Sequence, residues 1–172
     1  MLKLIGSVMV LLACVGYAGG LLRQIVRHRD ILKSCMELTE LLTGEIRYER
    51  IPIAEALRRI QGKVDDELSK ILCAVADSME KGDYGSMEEV WNRNFAQAGK
   101  GLLLTEEEMQ EVKNIGKNLG FLDFDVQVSH LTGCRERLKR SLDKIQKELD
   151  EKKKLYRSLS LAAGIFAILI LL

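Results

Sequence analysis

Residues 131–172 read LTGCRERLKRSLDKIQKELDEKKKLYRSLSLAAGIFAILILL, and two patterns follow one another within that stretch. Leu131, Cys134, Leu138, Leu142, Ile145 and Leu149 recur in steps of three or four residues, the spacing that gathers side chains on one face of an α-helix. Arg135, Lys139, Lys144 and Glu148 fall between them and are expected to face water. From Leu159 onward no charged side chain remains. A helix with an apolar stripe needs a partner helix, as in a coiled coil or in the protein's own core, whereas a helix apolar all round suits lipid.

The chain begins as it ends. Of its 26 Lys and Arg only Lys3 lies outside Arg23 to Arg157, and all 25 Asp and Glu lie inside that range. A bilayer core of roughly 30 Å takes about 20 apolar residues as a helix. Residues 1–22 meet that length. Residues 157–172 reach it when the helix starts near Leu155 or Tyr156, with Arg157 snorkelling to the headgroups and Tyr156 in the interfacial belt. The reading is a transmembrane helix over 1–22, a polar domain over 23–156 and a second transmembrane helix over 157–172. Three alternatives stand beside it. The first stretch has the Lys3, apolar run and small Gly16 and Ala18 of a cleaved signal peptide. The last stretch also fits a buried core helix. The two spans can pair as a hairpin, for which Gly16 and Gly20 have small-xxx-small spacing.

Basic residues border both spans on the domain side. Arg23, Arg27, Arg29 and Lys33 follow the first; Lys152, Lys153, Lys154 and Arg157 precede the second. Positive-inside bias then expects the domain in the cytoplasm and both termini outside, although such clusters also occur on ordinary solvated helix faces. Cys14, Cys35, Cys73 and Cys134 form no CxxC pair and are expected as reduced, small apolar residues.

The central domain reads as all-α, about six helices counting the two that enter the membrane, with the first and last continuous with the spans. Leu38, Leu41, Leu42 and Ile46 have helical spacing, as do Ile53, Ala56, Leu57 and Ile60, then Leu68, Ile71, Leu72, Val75 and Met79. Pro52 suits a first helical turn and Asp65 an N-cap. Ser86 with Glu89, and Thr105 with Glu108, have the spacing of capping boxes. The run Gly82-Asp83-Tyr84-Gly85 is the clearest break, and Gly120 is expected to end the helix begun at Thr105. The first and last helices, emerging from one membrane side by side, should pack antiparallel.

No catalytic, metal or cofactor constellation is expected. His28 lies in the basic border, and His130 follows Ser129 on a helix, where neighbours point about 100° apart and do not form a nucleophile and base pair. Glu106, Glu107 and Glu108 are accounted for by the dipole of a helix start. Gly99-Lys100-Gly101 lacks the glycine five positions earlier and the Ser or Thr after the lysine that a phosphate loop requires. From Arg23 to Arg157 the basic and acidic residues balance at 25 each, so nothing favours nucleic acid.

The stretch Glu45-Ile46-Arg47-Tyr48 with Ile51-Pro52-Ile53-Ala54-Glu55-Ala56-Leu57 resembles the stage III sporulation protein AB family of endospore-forming bacteria. So do Leu119-Gly120 followed by Asp123, Asp125 and Gln127, and Lys154-Leu155-Tyr156 leading into a Gly-containing apolar tail. More remotely the chain is similar to the cytoplasmic helical domain of the type II secretion inner-membrane platform protein. The resemblance implies a non-enzymatic, membrane-embedded platform in the mother cell, part of the complex that joins it to the engulfed forespore, with that complex's cytoplasmic ATPase as a partner and no catalytic residues. Secretion platforms carry two such domains and three spans; this chain carries one and two, so a homodimer would be needed to match them.

Two segments are candidates for partner docking. Glu45, Arg47, Tyr48, Glu49 and Arg50 gather charge and an aromatic just before a helix start, with Glu55 in the helix that follows, where the plainer account is a solvated turn with Tyr48 covering the edge of the core. Gly116, Gly120, Asp123 and Gln127 form a second corner. Gly116 inside a helix costs about 1 kcal/mol relative to alanine, so a close neighbour should compensate, either the helix from Ile53 or a second protein. A different class of function, a membrane-anchored sensor or adaptor binding a regulatory ligand, would require a pocket with convergent polar groups.

Overall fold

The computed structural model describes the backbone of residues 2–49, 51–82, 85–120 and 123–171, and side chains for all of these except 2–19, 21, 118, 157 and 160–171. Six α-helices account for most of the chain, and no strand is present among the described residues: α1 (Leu2–Gly44), α2 (Ile53–Ile60), α3 (Asp66–Glu80), α4 (Met87–Ala98), α5 (Glu106–Ile115) and α6 (Phe124–Leu171). Three short segments adjoin them: a π-helical turn, Glu45–Glu49, after α1, and 3-10 turns at Gly99–Gly101 and Gly116–Asn118.

The local signals work as expected. Pro52 sits at the N-cap of α2, one position earlier than a first-turn proline. Asp65 accepts the amide of Glu67 to cap α3. Ser86 with Glu89, and Thr105 with Glu108, each close a reciprocal capping box. Gly82 and Gly120 take positive φ of 70° and 92°, the region where a side chain is strained, but Gly120 does not end α5: that helix stops at Ile115, with Gly116, expected inside it, as its C-cap, and a 3-10 turn intervenes before Gly120. Asp83 and Tyr84, of the expected break, lie outside the described residues.

The chain divides into two compact units. One comprises 28–143, the other 1–27 with 144–172. The expected borders at 22/23 and 156/157 therefore fall within the second unit. Inside the larger unit, α2 packs on α3 and α3 on α4, and the core is built from the periodic residues: Leu38, Leu42, Ile46, Leu57, Ile60, Leu68, Leu72 and Val75 are buried. The α6 stripe contributes Leu131, Cys134 and Leu138 there, and Ile145 and Leu149 are buried in the smaller unit; Leu142 is half-buried. Of the residues between them, Lys139, Lys144 and Glu148 are exposed, while Arg135 pairs with Glu40 on α1.

Among the described residues no helix is long and apolar enough to cross a membrane. The spans expected at 1–22 and 157–172 fall on segments most of whose side chains lie outside the described ones.

Candidate functional site

The segment after α1 is organised by a residue the sequence reading did not single out. Arg59 on α2 reaches three carboxylates: Glu55 at 2.9 Å, Glu49 at 3.4 Å and Glu45 at 3.6 Å. Its hydrogen bond to Glu55 raises its already high pKa further. Glu55 and Arg59 are four apart on one helix, a relation visible in sequence; the reach back to the π-helical turn is not. That turn buries Ile46 and projects Arg47 and Tyr48 outward. Tyr48 is 78% exposed, so it does not cover the core edge, and Arg47 has no ion-pair partner among the described residues. Arg50 lies outside the described residues.

The second corner is built inward. Gly116 begins the 3-10 turn after α5 with φ −69° and ψ −17°, so its conformation needs no glycine. Space does: a Cβ there would stand 2.5 and 2.6 Å from Cδ1 and Cβ of Trp91, and closer still to Cγ. The close neighbour is thus internal, but it is the indole on α4 rather than the helix from Ile53. Trp91 is fully buried, donates from Nε1 to the carbonyl of Val112 (3.0 Å) and stacks on Phe95 with ring centroids 4.7 Å apart. Gln127 is buried as well, and Asp123 caps α6 by accepting the amides of Asp125 (3.0 Å) and Val126 (3.2 Å). Only Asp123 and Gly120 of this group reach the surface.

Other charged side chains join helix to helix. His28 donates from Nε2 to the buried carboxylate of Glu108 (2.6 Å), which also accepts the Thr105 amide of its capping box (2.8 Å). Arg58 holds Glu80 (2.9 Å) and Asp77, tying α2 to α3, and its hydrogen bond keeps the Glu80 carboxyl below the usual carboxylate range. Arg137 reaches Glu111 at 2.6 Å. His28 and Glu108 are 80 residues apart, and nothing in the sequence connects them. Burial pushes the Cys35 thiol up to about 12, with the charges of Glu108 and Asp65 adding to it, and raises Cys134 too; neither is a thiolate nucleophile near neutrality.

Among the described residues no group of three His, Cys, Asp or Glu is placed to hold a metal. A surface groove of about 480 Å³ opens between α4 and α5, with Phe95, Leu104 and Met109 on its walls and Lys100, Glu106 and Lys113 on its rim. Of the residues bordering the expected spans, Arg23, Lys153 and Lys154 are exposed, Arg29 pairs with Asp30 and Lys152 with Glu148; the Arg157 side chain lies outside the described ones.

Fold and site together define a class: an all-helical domain in which several ion pairs clasp one helix to another and the edge at Arg47 and Tyr48 is left open. The chain belongs to the stage III sporulation protein AB family, whose profile matches residues 3–172. It is 25% identical to stage III sporulation protein AB of Bacillus subtilis (strain 168) over 173 residues, covering the whole of both. A solved structure of stage III sporulation protein AB matches with a TM-score of 0.57 at 25% identity, covering 74% of this chain and 94% of that one. The resemblance to the stage III sporulation protein AB family is borne out over the chain, and the relatives are named for sporulation, not for an enzymatic activity.

Proposed function

We propose that the chain is a non-enzymatic, membrane-embedded platform of the sporulation complex between mother cell and forespore, anchored through 1–22 and 157–172. Its helical domain lies in the mother-cell cytoplasm and engages the complex's ATPase through the edge formed by Arg47 and Tyr48. The observation that carries the docking part is Tyr48. An exposed tyrosine beside a cation with no ion pair among the described residues, on a turn clasped by Arg59, has the composition of an interface anchor. Family membership supports the sporulation setting, and the apolar ends flanked by basic residues support anchoring.

A reporter experiment tests the topology. A fusion after Leu172 is expected to report an extracytoplasmic location, and one inserted within 82–85 a cytoplasmic location. Activity of a periplasm-dependent phosphatase placed in that loop would overturn the orientation.

A further inference from the structure

The balance of charge over the whole chain conceals a segregation that the two compact units expose. Residues 28–143 hold 17 Lys and Arg against 22 Asp and Glu, a net −5. Residues 1–27 with 144–172 hold nine against three, a net +6. The cationic unit is also the one with apolar ends. On α6, Lys153 and Lys154 are exposed, and next to them Leu155 and Leu159, four apart on one helix face, are 58% and 56% exposed. Arg23 on α1 is exposed as well. None of these three cations has an ion-pair partner among the described residues, whereas Lys152 is engaged by Glu148 at 2.6 Å. Large aliphatic side chains left uncovered by the protein beside cations without an ion pair call for a surface that is apolar at one depth and anionic just above it.

We propose that Arg23, Lys153 and Lys154 bind the headgroups of anionic phospholipids while Leu155 and Leu159 enter the acyl boundary, so that this unit selects acidic lipid rather than merely tolerating a bilayer. The inference rests on the membrane-embedded reading above and adds the lipid class. Basic residues at a membrane surface each contribute about 1 kcal/mol of attraction to anionic lipid, roughly fivefold in occupancy. Zwitterionic headgroups offer no net charge for them.

The test uses the full chain reconstituted into nanodiscs holding equal phosphatidylcholine and phosphatidylglycerol, with the lipids retained after gas-phase release counted by native mass spectrometry. Retained phosphatidylglycerol is expected to exceed phosphatidylcholine by about threefold or more. The triple variant R23Q/K153Q/K154Q, substituted only at exposed positions, is expected to lose most of that excess, keeping only what the unit's remaining net +3 sustains, while its helical circular dichroism stays unchanged; an undiminished excess overturns the assignment to these three residues. Equal retention by the native chain, in a protein that floats with the bilayer, overturns the lipid selection and leaves the anchoring intact. A chain that fails to float with vesicles of either lipid overturns the anchoring reading, and this inference with it. A preference erased by a few millimolar inorganic phosphate at constant ionic strength assigns the site to free phosphate and overturns the lipid assignment.

Discussion

The edge at 45–59 and the corner at 116–127 present similar credentials in sequence, each mixing charged or polar residues with an unusual backbone, yet the fold uses them in opposite ways. At the edge, Arg59 gathers Glu45, Glu49 and Glu55, and the turn so held keeps Ile46 inside and turns Tyr48 and Arg47 out. At the corner, Gly116 lies against the indole of Trp91, and Gln127 is buried. The difference is one of space. A residue whose side chain can be enlarged without collision is available to a partner, and one whose missing Cβ is already occupied by a neighbour belongs to the core.

The sharpest way to break that contrast is Gly116→Leu. Because even a Cβ collides with Trp91, the substitution should destabilise the domain by about 3 kcal/mol, the upper end of overpacking costs, and should lower its thermal midpoint accordingly. A variant that melts like the native protein but no longer assembles with its partners would move the corner from core to interface.

At the edge the expectation reverses. Arg47→Ala with Tyr48→Ala should weaken binding of the complex's ATPase by about 2 kcal/mol, measured by titration calorimetry, and leave the thermal midpoint almost unchanged. A double variant that melts early but binds normally below its midpoint would make these residues part of the fold.

Smaller effects sharpen the same contrast. Gly120→Ala should cost about 1–2 kcal/mol of stability, because φ of 92° is strained for any residue with a Cβ, while the nearest neighbour of that Cβ, on Met87, stands 3.7 Å away and does not obstruct it. Urea denaturation measures it, and no loss would mean that the turn relaxes. Arg59→Met should cost about 1 kcal/mol of stability: its pairs with Glu49 and Glu55 are solvent-exposed and contribute little, whereas the Glu45 side chain is only 14% exposed and loses its counter-charge. It should nevertheless weaken ATPase binding by an amount between the native protein and the double variant, through loss of the clasp that orients Tyr48. Full binding by Arg59→Met would show that the turn holds its shape without the arginine.

Much of the architecture was legible because its causes are local. Periodicity announced the core faces of the helices, the capping boxes at Ser86 and Thr105 announced two helix starts and Gly82 the end of α3, since each depends on residues within one turn of the chain, whereas α5 stops at Ile115, five residues before the Gly120 expected to end it. The stripe on α6 was legible for the same reason: Leu131, Cys134, Leu138, Ile145 and Leu149 are buried as their spacing required, while Leu142 is only half-buried. That Gly116 has a close neighbour was legible, although it caps α5 and does not lie inside it; which neighbour was not, because Trp91 lies 25 positions away and neither residue names the other. The open edge at Tyr48 was flagged by composition, while its exposure rests on Arg59 crossing from α2 to the turn.

What the sequence by itself determined is therefore the all-helical architecture, most of the places where helices start and stop, the family, and the concentration of apolar residues at both ends. Only the tertiary structure decided which charged residues clasp helices together, as in Arg59 with Glu45 and His28 with Glu108, that Gly116 serves the core while Tyr48 faces outward, and that a nearly neutral chain divides into a unit of net +6 and one of net −5. The physical reason is range. Helix propensity, capping and amphipathic periodicity act over a few residues and are written in order along the chain. Burial, ion pairing and steric exclusion depend on which distant segments meet, and that is settled only when the helices pack.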